Sequence, residues 1–182
     1  MLGFKEADLA GRAAAILAAL AIAATPAIAQ AASGGVGTDG QTSGSGKSEA
    51  GVFPVKGKHT YGDGLGAGRG HQGQDLLAKC GKPVVSAQPG KVKVKDYQAS
   101  GAGNYVVVKG KGPRYDYVYM HMLKRLNVRE GERIEAGEQI GRVGSTGSST
   151  ACHLHFEMWT GPGWYSGGKV ANPTPFLKKW DR

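Results

Sequence analysis

Apolar and polar positions alternate along most of this chain in short runs that glycines interrupt, the signature of β-strands joined by tight turns. Lys91–Lys95 alternates Lys and Val strictly, so it reads as a half-buried strand with Val92 and Val94 facing inward. Arg114–His121 places Tyr115, Tyr117, Tyr119 and His121 at every second position, which gives all four one face of a strand. His153–Met158 is a further strand, with Leu154, Phe156 and Met158 as its apolar side. Phe53-Pro54-Val55, Asp75–Ala78, Pro83–Ala87 and Asn104–Lys109 complete the longer runs. In Val128–Val143 the apolar Val128, Ile134, Ile140 and Val143 are divided by Gly131, Gly137 and Gly141, which predicts short strands with tight corners instead of a helix. Gly62, Gly64, Gly66, Gly68 and Gly70 mark a long loop running into His71, Ser145–Ala151 is a small polar loop, and the tail is loop with one helical turn near Phe176–Trp180. The expected fold class is all-β, a small antiparallel β-sheet domain.

The N-terminal quarter follows another pattern. Lys5 and Arg12 precede the apolar run Ala13–Ala24, then Pro26 and the small residues Ala27-Ile28-Ala29-Gln30-Ala31, the layout of a secretory signal peptide over residues 1–31. An uncleaved anchor is the competing reading, but the run falls short of the roughly 18–20 residues of a spanning helix. Cleavage after Ala29 or Ala31 is therefore expected, leaving a protein outside the cytoplasmic membrane with no membrane span. Residues 32–51, rich in Gly, Ser and Thr, read as a flexible linker, because they carry too little apolar surface to order themselves. The folded domain is expected over 52–182.

That length fits one domain, expected to be a monomer, and 31 glycines with 8% aromatic residues suit many turns. Formal charge is +9, and Lys5 and Arg12 cancel Glu6 and Asp8, so the excess stays with the mature chain. Such a protein is drawn to anionic cell-wall polymers and membrane surfaces. The basic residues are scattered and no recognition motif accompanies them, so a nucleic-acid partner is not expected. Cys80 and Cys152 form an even pair in an exported chain, which points to one disulfide; Cys152 as a metal ligand beside His153 is the alternative.

Four of the five histidines fall where chemistry could use them. His153-Leu154-His155 lies on an apolar strand, and residues two apart project from one face about 6.5–7 Å from each other. That spacing suits one histidine binding a metal while its neighbour reaches the reacting water. His71 and Asp75 stand at a loop-to-strand junction from which both can turn toward one cation. Two histidines and a carboxylate with an open fourth position form a catalytic zinc set, although manganese or iron could occupy the same donors.

Taken together, His71-Gln72-Gly73-Gln74-Asp75, Tyr119-Met120-His121 and His153-Leu154-His155 resemble the His-x-x-x-Asp, Tyr-x-His and His-x-His pattern of the lysostaphin-type (LytM-like) metallopeptidases. The likeness runs from Phe53 to about Leu177 and takes in the glycines of Gly81–Gly90, Gly103-Asn104, the Gly131–Gly141 run and Gly144-Ser145-Thr146-Gly147. It implies a β-sheet domain with an open substrate groove, one zinc ion held by His71, Asp75 and His155, and His121 and His153 beside the metal as catalytic residues. It also implies hydrolysis of peptide bonds in peptidoglycan, the peptide being the substrate. All five residues are present, which argues against the branch of the family that lacks ligands and activates other hydrolases. Where many relatives carry Gly-Pro this chain has Ala151-Cys152, which suits a bond to Cys80. His59 falls outside the shared pattern and reads as an exposed residue.

Overall fold

The computed structural model describes residues 51–182 apart from 69, 112 and 113, so the expected leader and all but the last residue of the expected linker lie outside the described residues. Ten strands and one short helix follow in order: β1 (His59–Tyr61), β2 (Gln74–Ala78), β3 (Pro83–Val85), β4 (Gly90–Gln98), β5 (Gly103–Gly110), β6 (Tyr115–Met122), β7 (Arg133–Ile134), β8 (Gln139–Arg142), β9 (His153–Thr160), β10 (Val170–Ala171) and α1 (Thr174–Trp180). The main sheet runs β1-β2-β9-β6-β5-β4-β7, with β10 beside the far end of β9, and β3 and β8 form a separate pair; every pairing is antiparallel. Among the described residues no helix is long and apolar enough to cross a membrane.

The central strands are buried on both faces. On one side Leu76, Val106, Val108, Tyr117, Tyr119, Leu154, Phe156 and Met158 pack against Val84, Ile140 and Val143 of the small sheet and its turn and against Leu177 of α1. On the other, Ala102, Tyr105, Val107, Val118, Met120 and Trp159 make a smaller cluster. This second side carries the groove. Tyr119 is fully buried and its hydroxyl accepts the Ala87 N–H at 2.9 Å, and Tyr117 is buried too, so both serve packing.

Three strand expectations need correction. Phe53-Pro54-Val55 is not a strand but a single bridge, Val55 to Val84, because Pro54 and Pro83 offer no N–H to extend the ladder. The strand starting at Pro83 accordingly ends at Val85. On β4 the register against β5 shifts between Val92 and Val94. An extra residue reverses the alternation. Val92 therefore enters the main core, while Val94 packs on the opposite face beside the smaller cluster.

Cys80 and Cys152 are bonded, with Cα atoms 5.2 Å apart and a sequence separation of 72. The thiolate alternative for Cys152 is thereby removed. The bond ties the turn after β2 to the residue before β9, and these are the strands that carry Asp75 and His155. Replacing both cysteines by serine is expected to lower stability by about 4 kcal/mol, the chain-entropy value for so long a loop. Denaturant titration with and without reductant measures it, and an unchanged midpoint in the wild type would show that the bond adds nothing.

Candidate metal centre and groove

The site is assembled where β2, β9 and β6 lie side by side. Asp75 and His155 are direct cross-strand partners, and Met120 is the partner of His155 on its other flank. Along β9 the apolar Leu154, Phe156 and Met158 point into the main core, so period-two geometry turns His153, His155 and Glu157 to the groove side. His71 arrives from the glycine-rich loop, whose fold is fixed by bonds from His71 N–H to the Ala67 carbonyl and from Gly66 N–H to the His71 carbonyl. Gly73 is needed on the way: a Cβ there would stand 2.5 Å from the Phe156 carbonyl oxygen and 2.9 Å from the His155 ring.

His121 is the residue the strand pattern misplaces. It has φ 63°, a left-handed backbone, at an irregularity where Asn104 and Val106 of β5 face Met122 and Tyr119 of β6. The extra residue lifts His121 out of the tyrosine face and into the groove, while Met122 returns to the main core. Asn104 holds this bulge: its side-chain amide donates to the Met122 carbonyl at 3.1 Å, and its backbone N–H donates to the Thr146 hydroxyl at 2.9 Å.

Three donor atoms converge. His71 Nε2 lies 3.1 Å from Asp75 Oδ1 and 3.0 Å from His155 Nδ1, and His155 Nδ1 lies 2.9 Å from Asp75 Oδ1. Next to them His153 Nε2 is 3.7 Å from Asp75 Oδ1, and the His121 and His153 rings are 4.7 Å apart. All five residues line one cleft of about 820 Å³, with Tyr105, Trp164 and Tyr165 along its wall. His59 is elsewhere: it stacks on Phe53 at 4.1 Å and contacts Asp181 at 3.2 Å, so it is half-buried structure and not the exposed side chain expected.

Hydrogen bonds at the far side of each ring set which nitrogen faces the centre. The Gly64 carbonyl lies 2.9 Å from His71 Nδ1, and a carbonyl only accepts, so Nδ1 carries the proton and Nε2 keeps its lone pair. Thr146 does the same for His121 at 2.8 Å, and Ala151 for His153 at 2.9 Å. For His155 the order is reversed: Glu157 Oε1 takes Nε2–H at 3.0 Å, leaving Nδ1 toward Asp75. Glu157 is 3% exposed and is itself held by the Trp159 indole N–H at 2.7 Å. The strand reading stopped at His153 and His155, although the same two-residue spacing puts Glu157 next on that face.

Charge balance follows from this packing. Burial alone would push the Asp75 carboxyl up, but the hydrogen bond and charge of His155, with His153 and His71 behind, hold it below the usual range. Burial acts to lower His155, yet the bonds to Asp75 and Glu157 dominate and push it up to about 9. Burial brings His121 down to about 4, against the opposing bond to Thr146. A group near 9 is protonated at neutral pH, and a cation can bind Nδ1 only after that proton leaves. Metal affinity should consequently rise with pH from 7 toward 9 and fall below it, with about one proton released per ion at pH 7.5. Calorimetry in buffers of different ionisation enthalpy counts that proton, and an enthalpy independent of buffer would refute the pairing.

A sequence profile for peptidase family M23 matches residues 69–173. The chain belongs to this family. Relatives of the M23 domain include an uncharacterised metalloprotease of Haemophilus influenzae, 40% identical over 58% of this chain and 20% of its own length. The glycyl-glycine endopeptidase ALE-1 of Staphylococcus capitis is 40% identical over 61% of this chain and 30% of its own. The peptidoglycan DD-endopeptidase ShyC of Vibrio cholerae is 38% identical over 50% and 20%. The chain thus spans less than a third of the length of these relatives. Among solved structures, the catalytic domain of lysostaphin from Staphylococcus simulans superposes with a TM-score of 0.59 at 34% identity, covering 66% of this chain and 92% of that one. A zinc-containing peptidase from Vibrio cholerae gives 0.56 at 29% identity, over 65% of this chain and 37% of that one. The antiparallel β-sheet of the M23 domain is the fold of these neighbours.

Glu157 is expected to matter to metal affinity although it is no ligand. Glu157→Gln leaves one acceptor for two buried donors, His155 Nε2–H and the Trp159 indole. Zinc affinity should fall roughly 10–100-fold, the usual effect of losing the carboxylate behind a ligating histidine, with part of the loss offset by weaker proton competition. Competition against a chromophoric chelator reads the change, and unaltered affinity would show that Glu157 is only packing.

Proposed function

We propose that this chain is an exported zinc endopeptidase that hydrolyses peptide bonds in peptidoglycan. The observation that carries the reading is the convergence of one donor atom each from His71, Asp75 and His155 within 4.8 Å of one another, open to the groove. Tetrahedral zinc with bonds of about 2.0–2.1 Å separates its ligand atoms by about 3.3 Å. The observed 2.9–3.1 Å needs only a few tenths of an ångström of outward movement. Two imidazoles and a carboxylate with a free fourth side suit a catalytic zinc. Bound there, zinc supplies a Lewis acid that polarises the scissile carbonyl and makes water acidic enough to deprotonate near neutral pH.

The chain's own residues do the rest. His121 and His153 present Nε2 lone pairs to the cleft, and burial keeps His121 neutral at pH 7, ready to accept the proton of attacking water. Once protonated, the same nitrogens donate to the oxyanion or to the leaving amine. Asp75 balances their charge from the opposite strand. Two relatives named as glycyl-glycine and DD-endopeptidases support peptidoglycan as the substrate class and the cell envelope as the place of action.

The test is mass spectrometry of fragments released from purified peptidoglycan, with and without chelator. New amine termini that appear only without chelator are the expected result and identify the bond. Binding to the wall with no fragments under either condition would instead support a non-catalytic, activating role.

A further inference from the structure

At the opposite ends of β4, β5 and β6 from the groove, the surface has a second concavity: two depressions of about 290 and 280 Å³ that share Gly110 and Lys111. The depression that holds aromatic rings is lined by three cations, Lys111, Arg114 and Lys179, and no acid, and its neighbour adds Lys91, Lys109 and Arg133 with one acid, Glu135. Six of the scattered basic residues of the sequence are therefore brought to this end of the sheet by the fold. Their charge is not locally neutralised: among the described residues, Lys93 with Asp116 is the one ion pair made by a lysine or arginine. Asp181, next to Trp180 in sequence, is taken up by His59 and Tyr61 at 3.2 and 3.3 Å.

The floor is aromatic. Tyr115, Phe176 and Trp180 are half-buried and pack in series, with ring centroids 5.7 and 6.0 Å apart. Flat apolar faces framed by cations match a ligand with ring faces and regularly spaced negative groups. A lipid surface is a poorer match, because the exposed large apolar residues, Leu65, Leu77, Tyr97 and Tyr165, all lie outside this concavity.

We propose that this concavity is a second binding site, specific for an anionic polysaccharide whose carboxylates or phosphates meet the cations while its sugar faces rest on the aromatic floor. It deepens the reading of the chain as a wall hydrolase: strands of eight or nine residues, rising about 3.3 Å each, put this hold roughly 20–25 Å from the cleft. One polymer can then be gripped at one end of the sheet while a peptide attached to it lies in the groove. At physiological salt that separation exceeds the screening length of about 8 Å, so the cations do not act on the cleft electrostatically.

The test compares two charge-reversed forms of the full chain. One carries Lys111→Glu, Arg114→Glu and Lys179→Glu; the other carries Lys56→Glu, Lys58→Glu and Lys79→Glu, equally exposed and of equal net charge. The probes are polygalacturonate, peptidoglycan stripped with hydrofluoric acid, unstripped walls and a thymidine oligonucleotide. The first variant should bind polygalacturonate at least roughly tenfold more weakly than the second, the summed effect of several exposed pairs. Both should cleave a short soluble peptide like the wild type. Loss on stripped peptidoglycan identifies peptidoglycan itself as the ligand, and loss confined to unstripped walls identifies an attached phosphate-bearing polymer. Equal loss in both variants, or none in either, would overturn the site in favour of net charge or of no role. A larger loss on the oligonucleotide than on polygalacturonate would replace it with a nucleic-acid site. Failure of peptide cleavage in the wild type would undo the enzyme reading and leave polymer binding measurable.

Discussion

His155→Ala is expected to emerge from purification without zinc and without activity. The substitution removes Nδ1, which stands 3.0 Å from His71 Nε2 and 2.9 Å from Asp75 Oδ1, and two protein donors seldom retain zinc. It also leaves the buried Glu157 carboxylate without its 3.0 Å imidazole partner, so the change disturbs the floor of the site as well as its donor set. His71→Ala should resemble it in metal content. Elemental analysis beside hydrolysis rates decides the matter. A form of His155→Ala that keeps stoichiometric zinc would remove His155 from the ligand set.

His121→Ala and His153→Ala should behave differently, keeping zinc while losing roughly 100-fold or more in rate, the usual contribution of a positioned acid, base or oxyanion donor. Neither side chain belongs to the converging triad, yet their rings lie 4.7 Å apart over the same cleft, and His121 is 6.0 Å from His155. Zinc content equal to wild type with a depressed kcat is the expected signature. Loss of zinc from His153→Ala with retention in His155→Ala would exchange the two roles within the pair. Full activity in both His121→Ala and His153→Ala would mean that neither moves a proton.

Much of this was legible because strands announce themselves by alternation. His153, Leu154, His155 and Phe156 needed only period two to separate a chemical face from a packing face, and the structure separates them that way. The motif spacing brought out His71 and Asp75 as well, since both belong to one short loop-to-strand segment. Reading failed where the chain breaks its own period. Val94 and His121 each follow an inserted residue, and a bulge depends on the partner strand, which no local pattern contains. Pro54 shows the converse: its missing N–H was visible, but its effect on pairing became definite only against Pro83. Glu157 could have been found by carrying the alternation one step further. The clustered cations at Gly110 could not, because turns distant in sequence bring them together.

The backbone at residue 121 sets a direction for descent in this fold. At φ 63° a residue with a Cβ is held roughly 1 kcal/mol above its relaxed state, whereas glycine or asparagine is at ease there. On the proposed reading, the proton that His121 moves is what offsets that cost. A lineage that abandoned hydrolysis would gain stability by exchanging this histidine for glycine, so drift away from catalysis at this position runs downhill and the return runs uphill.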